Sequence, residues 1–356
     1  MAKSEPTAIL DAETVAAADP SGQMGDVLAL PEHLRDALFK AESAELPETD
    51  SPGGLVVAGM GGSGVGGRLA RAILGDEASR PVLSSSEYML PPWTTSDTTV
   101  LLASYSGETE ETLACYEAAG IIGAPRVVVT SGGSLAETAR ADGVPVIPVA
   151  GGLQPRAAVA YMTVAALEVA AACGAGPRMT AEIDVAADGL DRLAGEWGPE
   201  SPEDSEAKVL ARALAGTVPV VAGSGLTAPI AGRWKTQVNE NAKQPAFASA
   251  LPELDHNEIL GWARAPQYGP FSAIFLYDSD DTPRISRRIE FTRELISGGT
   301  QGTHLIPTRG SNAVERLFSL VLLGDVVSVY LAVLNGVDPL DIAAISELKE
   351  RLADQE

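Results

Sequence analysis

Residues 55–68 read LVVAGMGGSGVGGR, an apolar run that breaks into glycines and then opens a helix. The β-branched residues favour a strand. The glycines let backbone N–H groups approach an anion closely, and the following helix adds the positive end of its dipole. A tight strand-to-helix turn with close packing is the alternative use of the same residues. Short apolar runs recur at Pro81–Leu83, Thr99–Ala103, Arg126–Val129 and Val144–Val149, separated by helical segments such as Glu110–Ala119 and Ser134–Ala141. Strands alternating with helices predict βαβ units and a parallel sheet covered on both faces.

The pattern then restarts. VVAGSGLTAPIAGRWK from Val220 repeats VVAGMGGSGVGGRLA from Val56, sharing Val-Val-Ala-Gly, a Ser-Gly pair and Gly-Arg with one residue of offset. Further strand candidates lie at Val218–Gly223, Phe271–Tyr277 and Gly302–Ile306, and residues 313–334 form a long apolar helix. A chain of 356 residues suits two domains. The expected fold class is α/β, with two doubly wound parallel-sheet halves. Residues 1–50 read as a solvated helical segment, 51–200 as the first domain and 201–356 as the second. The stretch from Gly198 to Asp204, GPESPED, reads as the linker.

The charge balance restricts partners. Against 48 acidic residues stand 25 basic ones, a net −23, which speaks against nucleic acid and anionic membrane surfaces, since both need clustered Lys and Arg. The longest apolar stretches are interrupted by Glu168 and Asp325 and are expected to fall short of a membrane span. The acidic N-terminus shows no secretory signal. Cys115 and Cys173 have no CxxC spacing and read as buried thiols of a reducing compartment. A cytoplasmic protein handling small molecules is expected.

The third strand selects the ligand class. Gly59-x-Gly61-x-x-Gly64 satisfies the dinucleotide fingerprint, but that reading wants an acidic residue about 20 positions on. Glu87, 28 residues past Gly59, matches poorly. After Leu101–Ala103 comes SYSGETEET, with hydroxyls at Ser104, Ser106 and Thr109. Open α/β sheets bind ligands at such strand ends, and hydroxyls donate to phosphate oxygens without carrying charge. N-capping would account for one of them. Three, beside a Gly-Gly-Ser-Gly loop, point to a phosphate cradle of Gly61, Gly62, Ser63, Ser104, Tyr105, Ser106 and Thr109. Thr130–Ser134, TSGGS, follows the fourth strand and either closes the same site or caps a helix.

With strand–GGSG–helix followed by SYSGxTxET, the chain resembles the sugar isomerase (SIS) domain, which binds phosphosugars. Within that superfamily it resembles the bifunctional phosphoglucose/phosphomannose isomerases. The supporting stretches are Tyr88-Met-Leu-Pro91, Gln154-Pro155-Arg156, Asn239-Glu-Asn-Ala-Lys243, Asp255-His-Asn-Glu258, Val337-Asp-Pro339 and Leu348-Lys349, in family order. The resemblance implies two SIS subdomains, a homodimer with shared active sites, and aldose–ketose isomerisation through a cis-enediol without metal or redox cofactor.

That chemistry needs a base reaching two adjacent carbons, a cation for the enediolate and a group that opens the ring. Glu240 is the candidate base; it lies in a locally basic segment, and only the resemblance raises it above a helix-surface carboxylate. By resemblance Arg156 is the cation facing the enediolate, a task suited to a planar, permanent guanidinium. Of three histidines, His33 reads as solvated and His304 as structural. His256 lacks apolar periodicity and is flanked by groups that can fix its tautomer. The resemblance makes it a ring-opening residue supplied by the partner subunit, and Lys349 the ring-oxygen lysine. One departure stands out: residues 340–348 read LDIAAISEL, where relatives often carry threonine and proline and a threonine makes room for the C2 epimer. Ser346 is the only hydroxyl there. Glucose 6-phosphate is therefore the firmer expected substrate, with mannose 6-phosphate less so. The rival readings are a non-catalytic SIS protein that binds a phosphosugar and regulates a partner, and a nicotinamide-dependent dehydrogenase resting only on glycine spacing.

Overall fold

The computed structural model describes residues 9–353. Three helices lead: α1 (Ala12–Ala18), α2 (Gln23–Leu28) and α3 (Leu30–Ser43). The first sheet comprises β1 (Leu55–Gly59), β2 (Val82–Ser85), β3 (Thr99–Ala103), β4 (Arg126–Thr130) and β5 (Val146–Pro148). Threaded through and after it are α4 (Gly61–Leu74), α5 (Glu110–Ile122), α6 (Gly133–Ala141), α7 (Val159–Ala172) and α8 (Thr180–Trp197). α9 (Glu206–Leu214) leads into the second sheet: β6 (Val218–Gly223), β7 (Phe247–Ala250), β8 (Phe271–Tyr277) and β9 (Thr303–Pro307). Its helices are α10 (Ala228–Ala242), α11 (Pro283–Ile296), α12 (Ala313–Asn335) and α13 (Ala343–Ala353).

Strand order is β2-β1-β3-β4-β5 in one sheet and β7-β6-β8-β9 in the other, and every pairing is parallel. The two sheets share the arrangement in which the second strand lies outside the first and the third on its other side. All five residues of β1 and of β3 are buried, because helices cover both faces. The strand order reverses between β1 and β3, and their C-terminal ends open a crevice there.

Helices α7 and α12 run through a shared core. α7 is built of small residues and packs against α3 and α4. α12 corrects one expectation: Ala313–Asn335 is long and apolar enough to cross a membrane by length and composition, and Asp325 does not shorten it. Most of this helix lies buried inside the protein, against α8, α9 and α10. Asp325 is tolerated there because Arg233 of α10 meets it, donating from Nε at 3.1 Å and also from Nη2. Burial pushes the Asp325 carboxyl up and Arg233 pulls it back.

The described part of the N-terminal segment is not a solvated appendage. Leu30, Leu34, Ala37, Leu38 and Ala41 fall at helical spacing and are buried on one stripe of α3 against α7 and α8. Glu32 and Glu42 are exposed and Asp36 accepts the Tyr161 hydroxyl at 2.6 Å, so an acidic composition conceals a buried stripe. His33 shares the correction: it is half-buried with its ring 5.7 Å from that of Tyr161, and burial lowers its pKa. Residues 198–204 are also pinned rather than free. Lys208, itself buried, donates to the carbonyls of Pro199 and Ser201 at 2.9 and 2.7 Å.

Candidate active site

The crevice at the reversal of the first sheet is formed by the loops after β1 and β3. The first loop passes directly into α4, and the N–H groups of Gly61 and Gly62 open that helix without an intrahelical partner. Gly62 is required by contact: a Cβ there would stand 2.8 Å from the Pro155 carbonyl oxygen and 3.0 Å from the Arg156 Cα. The glycine loop therefore lies directly on the segment that carries Arg156.

The hydroxyls of the second loop divide their labour. Ser104 is buried; its Oγ lies 2.8 Å from that of Thr109 and accepts the Gly107 N–H at 3.0 Å. Ser63 accepts the Tyr105 N–H at 3.0 Å, which ties the two loops together. The Tyr105 hydroxyl donates to the Ala150 carbonyl and accepts the Leu153 N–H, so this ring braces the fold. Ser106 is exposed and Thr109 half-exposed, and with the Gly61 and Gly62 amides they are the groups best placed to meet an anion. The loop after β4 supports rather than lines this arrangement. Ser131 donates to the Tyr105 carbonyl, and Ser134 donates to Glu108 through its N–H and its hydroxyl. Gly107, at φ +74°, packs against the Gly132 carbonyl, where a Cβ would stand at 1.9 Å.

The equivalent point of the second sheet is different. β8 leads into Asp278-Ser-Asp-Asp281, and the Ser224 hydroxyl donates to Asp281 at 2.9 Å. Carboxylates stand where the first half offers hydroxyls, so a phosphate is repelled there. Among the described residues, the loops of the first half thus offer uncharged donors where those of the second half offer carboxylates.

Between the halves lies a cavity of about 490 Å³, lined by Gly61, Gly62, Arg156, Arg233, Gln237 and Glu240 among others. Arg156, only 5% exposed, projects its guanidinium against α10. Nε donates to Asn241 Oδ1 at 2.7 Å, Nη2 donates to the Pro339 carbonyl at 2.9 Å, and Nη1 lies 3.5 Å from Glu240 Oε2. At that length the Glu240 contact is an ion pair rather than a close hydrogen bond, and neither group is saturated by it. Burial lowers the Arg156 pKa while Glu240 and Asp325 raise it, which leaves a guanidinium charged at any working pH.

A second layer fixes this guanidinium. Asn241 donates to Ser328 at 2.8 Å, and Ser328 donates to the Asp325 carbonyl at 2.6 Å. Arg233, held by Asp325, donates to the Arg156 carbonyl at 2.9 Å. Lys243 donates to the carbonyls of Asp338 and Pro339, holding in place the turn that receives Arg156. Sequence reading singled out none of Asn241, Asp325, Ser328 or Arg233 for this bracing. The available signal was Asp325, an acid inside an otherwise apolar helix.

Four cationic residues, Arg68, Arg156, Arg233 and Lys235, line the cavity against the single carboxylate Glu240 among its described lining residues. In a chain of net charge −23 this is a local reversal of sign, suited to an anionic ligand. Two expected residues stand apart. His256 is exposed in a short 3₁₀ turn after β7 and does not line the cavity of its own chain. Lys349 falls in α13, and its side chain lies outside the described residues.

Comparison with known proteins bears on this arrangement. Residues 203–352 match the bacterial phospho-glucose isomerase C-terminal SIS domain. The chain is 40% identical to a bifunctional phosphoglucose/phosphomannose isomerase of Caldicellulosiruptor bescii, over 84% of this chain and 89% of the relative. It is 34% identical to a protein of the same description from Aquifex aeolicus, over 84% and 90%. Among solved structures, a glucose-6-phosphate isomerase like protein from Thermus thermophilus superposes with a TM-score of 0.62 at 20% identity, covering 97% of this chain and 99% of that one, a likeness of fold.

Proposed function

The chain belongs to the bifunctional phosphoglucose/phosphomannose isomerase family, and from that premise we infer that the cavity interconverts glucose 6-phosphate and mannose 6-phosphate with fructose 6-phosphate. One observation carries the chemistry: a half-exposed carboxylate, Glu240, and a buried guanidinium, Arg156, face one cavity 3.5 Å apart beside a glycine loop. The residues divide into an anion cradle from 51–200 and a catalytic group set from 201–356, with Arg156 crossing between them. The phosphate binds at Gly61, Gly62, Ser106 and Thr109. This places C1 and C2 near Glu240, which moves a proton between them through a cis-enediol. Arg156 stabilises the enediolate oxygens. Each of these steps is carried by the protein's own side chains. The relatives at 34–40% identity are described as isomerases, which supports this reading over a silent phosphosugar-binding regulator.

Ring opening is assigned to His256 of the partner subunit, with Lys349 at the ring oxygen. The exposure of His256 supports a shared site. So does an apolar groove of about 450 Å³ lined by Phe247, Trp262, Tyr268 and Phe271, and also by Glu258, two residues on from His256. Two buried free cysteines support a cytoplasmic setting, and interconversion of hexose 6-phosphates suits a role in glycolysis and gluconeogenesis.

The shared site is tested by mixing two inactive variants, Glu240→Gln and His256→Ala, after unfolding and refolding together. In a two-fold dimer one site of each mixed pair is intact, so about a quarter of wild-type turnover returns. Activity no higher than the mean of the separate variants removes His256 from the partner's site. A second expectation concerns the loop contact. Gly62→Ala forces the Pro155–Arg156 backbone away, and a misplacement of this kind lowers kcat by about 10²-fold. Steady-state kinetics with fructose 6-phosphate checks this; unchanged kcat would show that the contact yields.

A further inference from the structure

Catalysis on a bound phosphosugar needs the phosphate cradle and the guanidinium at the reacting carbons to keep a fixed separation. Arg156 lies in the connection from β5 to α7, where residues 149–156 read VAGGLQPR. Gly151 and Gly152 are exposed, Gly152 has φ +88°, and a Cβ at either would meet no atom within 4 Å. Packing therefore does not restrain this turn, and adjacent glycines are the least restrained backbone a chain can offer. The side chain that follows four residues later nevertheless has to be held in one place.

A single hydroxyl closes the turn. Tyr105 Oη donates to the Ala150 carbonyl at 3.1 Å and accepts the Leu153 N–H at 2.8 Å, so one oxygen spans both ends of the glycine pair. The backbone of Tyr105 is itself fixed. Its N–H donates to Ser63 Oγ in the glycine loop at 3.0 Å. Its carbonyl accepts the Ser131 N–H at 3.0 Å and the Ser131 hydroxyl at 2.6 Å. The next residue, Ser106, is an exposed hydroxyl of the cradle. Tyr105 thus joins the loops after β1, β3 and β4 to the turn that leads into Arg156. On the far side of that turn, Pro155 lies against Gly62 and the Arg156 carbonyl accepts from Arg233.

We propose that Tyr105 is a positioning residue for the isomerisation: its hydroxyl locks the glycine turn to the cradle and so sets the separation between the phosphate grip and Arg156. The inference rests on the isomerase reading of the cavity and adds to it a side chain that acts through Arg156. Loss of the hydroxyl leaves each end of the site intact and disturbs only their register. The phosphate is gripped as before, while the guanidinium meets the enediolate less well.

The test is Tyr105→Phe in the full chain, which keeps the ring and removes only the hydroxyl. Ala150 and Leu153 are partly exposed, so water takes up their freed polar groups and the fold is kept. The kcat for fructose 6-phosphate falls about tenfold or more, as for other small misplacements of a catalytic group. KM and the calorimetric affinity for inorganic phosphate stay within about twofold, and the melting temperature is unchanged. Affinity for the hydroxamate of 5-phosphoarabinonate, whose planar head imitates the enediolate, falls in parallel with kcat. An unchanged kcat overturns the proposal. So does a loss of phosphate affinity as large as the loss of kcat, which makes Tyr105 a part of the cradle instead. Wild-type protein that binds fructose 6-phosphate without converting it overturns the isomerase reading itself, an outcome visible before the variant is made.

Discussion

Glu240→Gln lowers kcat for fructose 6-phosphate by about 10³-fold while KM stays within about threefold, since a general base contributes roughly 10²–10⁴ and little ground-state affinity. The amide preserves the size of the side chain, so the cavity wall and the backbone of α10 are retained. What is lost is the carboxylate that must take a proton from one carbon and return it to the next. Glu240 is suited to that task because its only ion-pair partner among the described residues, Arg156, sits at 3.5 Å and leaves the carboxylate oxygens available. The change removes isomerisation and exchange of substrate hydrogen with solvent together. A variant that loses turnover but exchanges at the wild-type rate would place the base elsewhere.

Arg156→Lys lowers kcat by about 10²-fold or more, the cost of removing one preorganised donor from a developing oxyanion. Charge is conserved in this substitution, so a mere requirement for a cation would leave it nearly silent. The guanidinium uses Nε toward Asn241, Nη2 toward Pro339 and Nη1 toward Glu240, three directions fixed by one plane. An ammonium cannot satisfy all three. Its loss also leaves Asn241 Oδ1 without its donor and the Pro339 carbonyl with Lys243 alone. A split readout separates the roles: kcat falls far more than KM rises, and binding of fructose 6-phosphate measured by calorimetry changes by less than about fivefold. A rise in KM with kcat preserved would make Arg156 a substrate anchor rather than the enediolate's cation.

The two-sheet architecture was legible because parallel strands buried on both faces are written as continuous apolar runs. β3, β6 and β8 fall at the residues their runs predicted. β7 was not legible: FASA is a short, mostly exposed edge strand with no continuous apolar run to mark it. The glycine loop and the Ser106–Thr109 loop read as an anion site, but Ser104 and Tyr105 turn inward and hold the loop. Glu240 and Arg156 looked like helix-surface or helix-start groups until family resemblance gave them roles. Their meeting depends on the contacts that α10 makes with the turn preceding α7, and on braces from α12. Asn241, Ser328 and Asp325 acquire their purpose only through that tertiary contact, which no local spacing encodes.

The central claim is proton transfer by Glu240 on a phosphosugar held between the two halves. The direct measurement is wild-type protein incubated with fructose 6-phosphate in deuterium oxide, with the products followed by NMR. The account predicts glucose 6-phosphate, and mannose 6-phosphate at a rate the assay will rank, each carrying deuterium at C2. Saturable binding of fructose 6-phosphate with neither aldose formed and no deuterium incorporated would contradict it.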